Sequence, residues 1–306
     1  HVDWGDGSDP ETIQLSPGGR EFTATHNFEQ GGIYNIAVTA VDGQGGEANE
    51  TVSAVVQGMQ LKDGQLQIIG RSGNDRVVIS PAGRNRIRVQ LIIPGMLRQQ
   101  LLLAASELGS ITMDLGAGND RVSVSSRISV PIEINAGAGN DNIISGSGPA
   151  IIDGGEGNDR IRTGNAHDQV TDLWGNNSIQ SGGGNDTIIV GEGNDYVNGG
   201  LGHDIISGGG GNDRLVGHSG HDILIGGEGA DRVYGYNDDD LLIAGKTEFE
   251  SASASLSAAG IAWADGRLQD ALLSLGSIED DLSIDLLFGG RGDDELFGDS
   301  LDRLRP

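Results

Sequence analysis

Ten positions spaced nine residues apart carry a side-chain oxygen: Asp159, Asp168, Asn177, Asp186, Asp195, Asp204, Asp213, Asp222, Asp231 and Asp240. Nine are carboxylates and one is an amide. Oxygen ligands of this type, repeated many times, suit hard divalent cations. Two residues after each comes an apolar side chain, from Ile161, Val170 and Ile179 through to Val233 and Leu242. Two residues before each there is usually a glycine, as at Gly157, Gly184, Gly193, Gly202, Gly211, Gly220 and Gly229.

The elements that position these residues follow from the period. Each nonad divides into a six-residue glycine-rich turn and a three-residue strand with one inward apolar residue. Glycine supplies the positive-φ positions of tight turns. The residue just before the aspartate is mostly Asn or His (Asn158, His167, Asn185, Asn194, His203, Asn212, His221), types that tolerate the left-handed region. So short a strand cannot stand alone, and successive strands must stack into a coil. With alternate strands in two facing sheets, residues eighteen apart become neighbours at ~4.8 Å. Asp159, Asn177, Asp195, Asp213 and Asp231 then form one column, and Asp168, Asp186, Asp204, Asp222 and Asp240 the other.

Carboxylates ~4.8 Å apart repel by roughly 0.9 kcal/mol even at the dielectric of water. A cation between neighbours removes that penalty. Ca²⁺ accepts six to eight oxygens in flexible geometry, whereas Mg²⁺ demands a near-ideal octahedron and keeps its water. Calcium is the expected partner.

GGEGNDRIR (154–162), GGLGHDIIS (199–207), GGGGNDRLV (208–216) and GGEGADRVY (226–234) resemble the RTX, or haemolysin-type, calcium-binding nonapeptide GGxGxDxUx. The resemblance implies a right-handed parallel β-roll with several Ca²⁺ ions held by the aspartate carboxylates and turn carbonyls. Residue by residue it names Asp159 with Gly155 and Gly157, Asp186 with Gly182 and Gly184, and Asp195 with Gly191 and Gly193. It also names Asp204 with Gly200 and Gly202, Asp213 with Gly209 and Gly211, Asp222 with Gly220, and Asp231 with Gly227 and Gly229. The nonads at 163–171 and 172–180 have lost glycines, Asn177 replaces an aspartate, and His218 and Tyr236 stand where a second glycine is expected. Sites touching those turns are expected to be weak or empty.

The flanks divide the chain further. Residues 57–144 read as an irregular solenoid leading into the roll of 145–245. GRSGND (70–75), LGAGND (115–120) and AGAGND (136–141) carry the turn at unequal spacings, making Asp75, Asp120 and Asp141 further candidate ligands. Strand-like runs at Leu66–Ile69, Arg86–Ile93, Gln100–Leu103 and Ile132–Ile134 suggest longer rungs shielding one end of the roll. Residues 1–56 resemble the latter part of a PKD domain, an immunoglobulin-like β-sandwich, through VDWGDG (2–7), His26–Phe28, GGIYNIAVTAVDGQGG (31–46) and Thr51–Val56. Asp3, Asp6 and Asp9 read there as a turn, with cation binding as the alternative. Residues 246–306 read as a partly helical C-terminal cap, helical over 257–275, with one isolated nonad, GGRGDDELF (289–297), and Asp294 in the ligand place.

Composition bounds the function. Of 306 residues, 53 are glycine and none is cysteine, so disulfides and thiolate metal sites are excluded. A net charge of −26 argues against nucleic acid as a partner, and no apolar run is long enough for a membrane span. HExxH, GxSxG and phosphate-loop strings are absent, so the chain reads as a non-enzyme. His167, His203 and His221 read as turn residues, with a pH sensor as the other reading. The leading functional reading is a calcium-folded structural or adhesive module of a large secreted bacterial surface protein. Its expected location is extracellular, and its partners are cell-surface or matrix glycans. The alternatives are the C-terminal region of a secreted hydrolase or epimerase and the subunit of an extracellular fibre.

Overall fold

The computed structural model describes residues 1–15, 22, 24–28, 32–41, 44, 46–95, 97–247, 262, 271, 274, 278–279, 285–298 and 303–305. Most of the described strands from residue 58 onward lie in two sheets, one of 12 strands and one of 11. From Ser110 to Ile243 successive strands alternate between them. Asn142–Ile144, Arg160–Arg162, Ser178–Gly183, Tyr196–Leu201, Arg214–Ser219 and Arg232–Asn237 lie in the first. Ala150–Asp153, Gln169–Trp174, Thr187–Glu192, Ile205–Ser207, Ile223–Ile225 and Leu241–Ile243 lie in the second. Pairing is parallel and in register at eighteen residues, as in Ile161↔Ile179, Ile188↔Ile206 and Val197↔Leu215.

The period puts the apolar side chain of every nonad inside. Ile161, Val170, Ile179, Ile188, Val197, Ile206, Leu215, Leu224, Val233 and Leu242 form one buried stack between the sheets. Burying each such side chain stabilises the coil by about 1.5–3 kcal/mol. Several strands are six residues long rather than the expected three, because pairing runs on into the turn, as in Gly182↔Gly200 and Gly200↔His218.

Residues 57–144 enter the roll differently from the expected longer rungs. Gly58–Lys62 and Gln65–Ile69 form an antiparallel hairpin, and Arg76–Pro81, Arg86–Ile93 and Leu97–Ala104 an antiparallel meander. These end both sheets on that side. Gln65–Ile69 and Arg76–Pro81 then pair parallel with the first coil, at Leu66↔Ile111 and Arg76↔Arg121. The unequal aspartate spacings are thus lengths of inserted chain, and the register beneath is continuous.

At the other end the roll resumes after an excursion. Leu286–Arg291 pairs with Arg232–Asn237, and Glu295–Phe297 with Leu241–Ile243, both at an offset of 54 residues. The nonad expected to be isolated is therefore two further strands of the same sheets. The excursion leaves and returns as a pair of antiparallel strands, Lys246↔Glu279 and Thr247↔Ile278. Its described residues Ala262 and Ala271 are buried against Ile189, Ile205, Ile223, Ile225, Leu241 and Ile243, on the outer face of the second sheet. They cover a side of the roll. The helix expected over 257–275 lies otherwise outside the described residues.

The N-terminal residues form a separate antiparallel sheet of Val2–Asp3, Gly32–Val41 and Glu47–Val56, consistent with a sandwich-like start. Trp4 stacks on His26 and Phe28 on Tyr34, with His26 meeting Phe28 edge-on. Asp6 fastens the preceding turn. Its Oδ1 accepts from the Ser8 amide and hydroxyl, and its Oδ2 meets His26 Nε2 at 2.6 Å. The Ser8 hydroxyl and then His26 hold this carboxyl far below the usual range.

Candidate metal centre

The aspartates of the repeat stand in two unbroken columns tied by backbone hydrogen bonds. In the first, the amide of each column residue donates to Oδ1 of the residue one coil further on. Asp75 donates to Asp120, Asp120 to Asp141, Asp141 to Asp159, Asp159 to Asn177 and Asn177 to Asp195. The series continues from Asp195 to Asp213, Asp213 to Asp231 and Asp231 to Asp285, at 2.6–2.9 Å throughout. In the second column Ala150 donates to Asp168, Asp168 to Asp186, Asp186 to Asp204, Asp204 to Asp222, Asp222 to Asp240 and Asp240 to Asp294, at 2.8–3.1 Å.

Asp75, Asp120 and Asp141 therefore lie in the first column and Asp294 in the second. Asp285 also stands in the first column, and the motif did not reveal it because the sequence before it, EDDLSI at 279–284, has no glycine. The signal available was arithmetic: Asp285 lies nine residues before Asp294 and six nonads after Asp231.

Only one oxygen of each carboxylate is used in this way. Oδ2 of Asp120, Asp141, Asp159, Asp168, Asp186, Asp195, Asp204, Asp213, Asp222, Asp240 and Asp294, and Oδ1 of Asp75, are buried with no hydrogen-bond partner. Burial, aggravated by neighbouring aspartates, pushes the carboxyl of Asp204 up to about 8 and that of Asp222 up to about 9. Asp159, Asp186, Asp195 and Asp213 are raised to about 7, again chiefly by burial. Leaving a buried anionic oxygen unpaired is costly, so each column calls for a bound proton or a bound cation.

The glycines complete the turns. Gly157, Gly193, Gly211 and Gly229 stack so that a Cβ on any of them would fall on the carbonyl oxygen of the glycine one coil back, and all have positive φ. Gly182, Gly184, Gly200, Gly202, Gly209, Gly220 and Gly227 have positive φ and sit over carbonyls in the same way, as does Gly155 above Gly137. Gly191 differs, with no left-handed backbone, although a Cβ there would also fall on a carbonyl oxygen, that of Leu173. The two replaced glycines keep the glycine conformation: His218 has φ 83° and Tyr236 φ 85°, and their rings stack at 5.3 Å.

The Asn and His residues before the aspartates do not occupy the left-handed region as expected; the positive-φ non-glycines are elsewhere. Their side chains form two further ladders, one beside each column. Oδ1 of Asn140 accepts from the Asn158 amide, Asn158 from Asn176, Asn176 from Asn194 and Asn194 from Asn212, at 2.7–2.8 Å. His substitutes because Nδ1 lies where Asn carries Oδ1. His167 Nδ1 accepts from the Asn185 amide and His203 Nδ1 from the His221 amide, both at 2.8 Å.

Among the described residues no group of three or more Asp, Glu or His side chains converges as a metal site. The roll supplies one carboxylate per turn and stacks backbone carbonyls beside it, so oxygen ligands accumulate along the axis. Orphaned buried oxygens and carbonyl stacks fit a hard cation of Ca²⁺ type.

A parallel roll with acidic columns at its turns is a calcium-binding repeat architecture. The RTX calcium-binding nonapeptide repeat family matches the chain in four copies, at residues 135–170, 172–206, 207–242 and 278–301, so the chain carries RTX repeats, which bind Ca²⁺. The last copy spans the strands that resume after the excursion. No curated protein and no solved structure matches the chain. A roll of such repeats is a structural domain type. No described helix is long and apolar enough to cross a membrane.

Proposed function

We propose that the chain is a calcium-folded structural or adhesive module of a large secreted bacterial surface protein. The observation that carries this reading is the pair of aspartate columns, each with a file of buried, unpartnered carboxylate oxygens. Asp159, Asp168, Asp186, Asp195, Asp204, Asp213, Asp222, Asp231 and Asp240, with the carbonyls of the turn glycines, would hold the ions. Asp75, Asp120, Asp141 and Asp294 would extend the two files. Calcium would neutralise the columns and fasten each coil to the next. At the low calcium of a cell interior the columns repel and the chain stays open for export; outside, millimolar calcium closes the roll.

Substituting Asp204 and Asp222 together with Asn tests the assignment. The variant is expected to bind at least one calcium fewer and to melt at lower temperature in calcium. Unchanged stoichiometry and melting would count against it. The adhesive partner is a cell-surface or matrix glycan, and a glycan array probed in calcium and in chelator reads that directly.

A further inference from the structure

The nonad 172–180 departs from the motif at three positions: Leu173 replaces the second glycine, and the other two changes concern the carboxylate. Asn177 stands at the aspartate position, and Asp172 stands five residues earlier at the first glycine. The structure links the two changes. In regular turns the first glycine has no room for a side chain: a Cβ on Gly199, Gly217 or Gly235 would fall on the carboxylate of Asp204, Asp222 or Asp240 in the same turn. Glycine and aspartate there share one volume. In the 172–180 turn the amide of Asn177 sits there instead, its Nδ2 donating to the Asp172 carbonyl at 3.4 Å. The Asp172 side chain reaches one coil back and lies against the Cα of Gly154, on the side where a Cβ would stand.

Asp172 is fully buried, and neither of its carboxylate oxygens has a hydrogen-bond partner. Asp159, the aspartate of the Gly154 turn, is buried in the same coil. Its Oδ1 accepts from the Asp141 amide at 2.6 Å and its Oδ2 is unpartnered. Three orphaned carboxylate oxygens thus belong to one pair of adjacent coils. A lone buried carboxylate without a partner is strongly destabilising, and a compensating positive charge removes the cost.

We propose that Asp172 is a calcium ligand, supplying from the first-glycine position the carboxylate that Asn177 removes, and that with Asp159 it forms a two-carboxylate site between coils 154–162 and 172–180. The proposal rests on the reading that the roll takes calcium. It reverses the expectation that this turn is weak or empty, because the column keeps one carboxylate per coil.

The test is calcium titration and native mass spectrometry of the full chain as wild type, Asp172→Asn, Asp172→Gly and Asp204→Asn. Circular dichroism in calcium confirms that each variant is folded. Asp172→Asn is expected to bind one calcium fewer, or to bind that ion at least tenfold more weakly. Asp172→Gly, which installs the motif's own residue and guards against a folding defect, should do the same. Adding Asn177→Asp to Asp172→Gly should restore the wild-type count. If both single variants at 172 keep the wild-type count and affinities while Asp204→Asn loses an ion, this proposal is overturned and the general reading survives. A wild-type chain that takes no calcium overturns both.

Discussion

Burial sets the charge state of the aspartate columns, and the sign of the resulting pH dependence is fixed. The folded-state carboxyls of Asp204 and Asp222 lie at about 8 and about 9, against ~3.9 in the unfolded chain. The metal-free roll therefore binds more protons than the unfolded chain, and its stability falls as pH rises through that window. Calcium competes with those protons, so its stabilisation grows with pH. In chelator the melting temperature should drop by more than about 5 °C between pH 5 and pH 8.5; in millimolar calcium the order should reverse. The ladders beside the columns give a second expectation. His203→Asn should be nearly neutral in a denaturant melt, because Asn offers an acceptor in the same place, while His203→Ala should cost about 1 kcal/mol. The nine-residue recurrence of Asp made the columns legible in the sequence. The reason for Asn and His was not, since the same types suit both a left-handed turn and an acceptor ladder, and only the stacking of coils distinguishes them.

The turn is the element that cannot be rebuilt with other residues. Gly157 has φ 130°, and a Cβ there would fall on the Gly139 carbonyl oxygen. Gly157→Ala should cost more than about 2 kcal/mol by strain and overpacking. Gly210 provides the contrast: its backbone is not left-handed, and a Cβ would find only the Glu192 carboxylate at 3.6 Å. Gly210→Ala should stay within about 0.5 kcal/mol. Urea midpoints in calcium measure both. The strands were legible from the apolar residue at each eighth place of the nonad, and their eighteen-residue pairing from the need to stack. Their extra length was not, because it comes from turn backbones that pair only when coils are superposed. Asp172 escaped notice for a related reason: a scan for the motif registers a missing glycine and not what its replacement reaches.

Over the whole molecule, register survives every interruption. The meander near Arg86 and the excursion after Thr247 lengthen the chain between coils, yet Asp75, Asp120, Asp141, Asp285 and Asp294 remain in column. The offset of 54 is six nonads and could be read from sequence; the face of the roll that Ala262 and Ala271 cover could not, because spacing within a segment does not say which sheet it packs on. Since Thr247 and Ile278 are paired neighbours, replacing residues 248–277 by an Asn-Gly turn should keep the register. It should also preserve the calcium count, while exposing Ile223, Ile225, Leu241 and Ile243 and causing aggregation visible by light scattering. The most direct test of the central claim is calcium titration of the chelator-stripped chain, followed by calorimetry and far-ultraviolet circular dichroism on the same samples. Several ions binding cooperatively, with β signal appearing as they bind, is the result expected of columns that need cations to stack. A chain that is fully β-structured in chelator at pH 8 and takes up no calcium would contradict it.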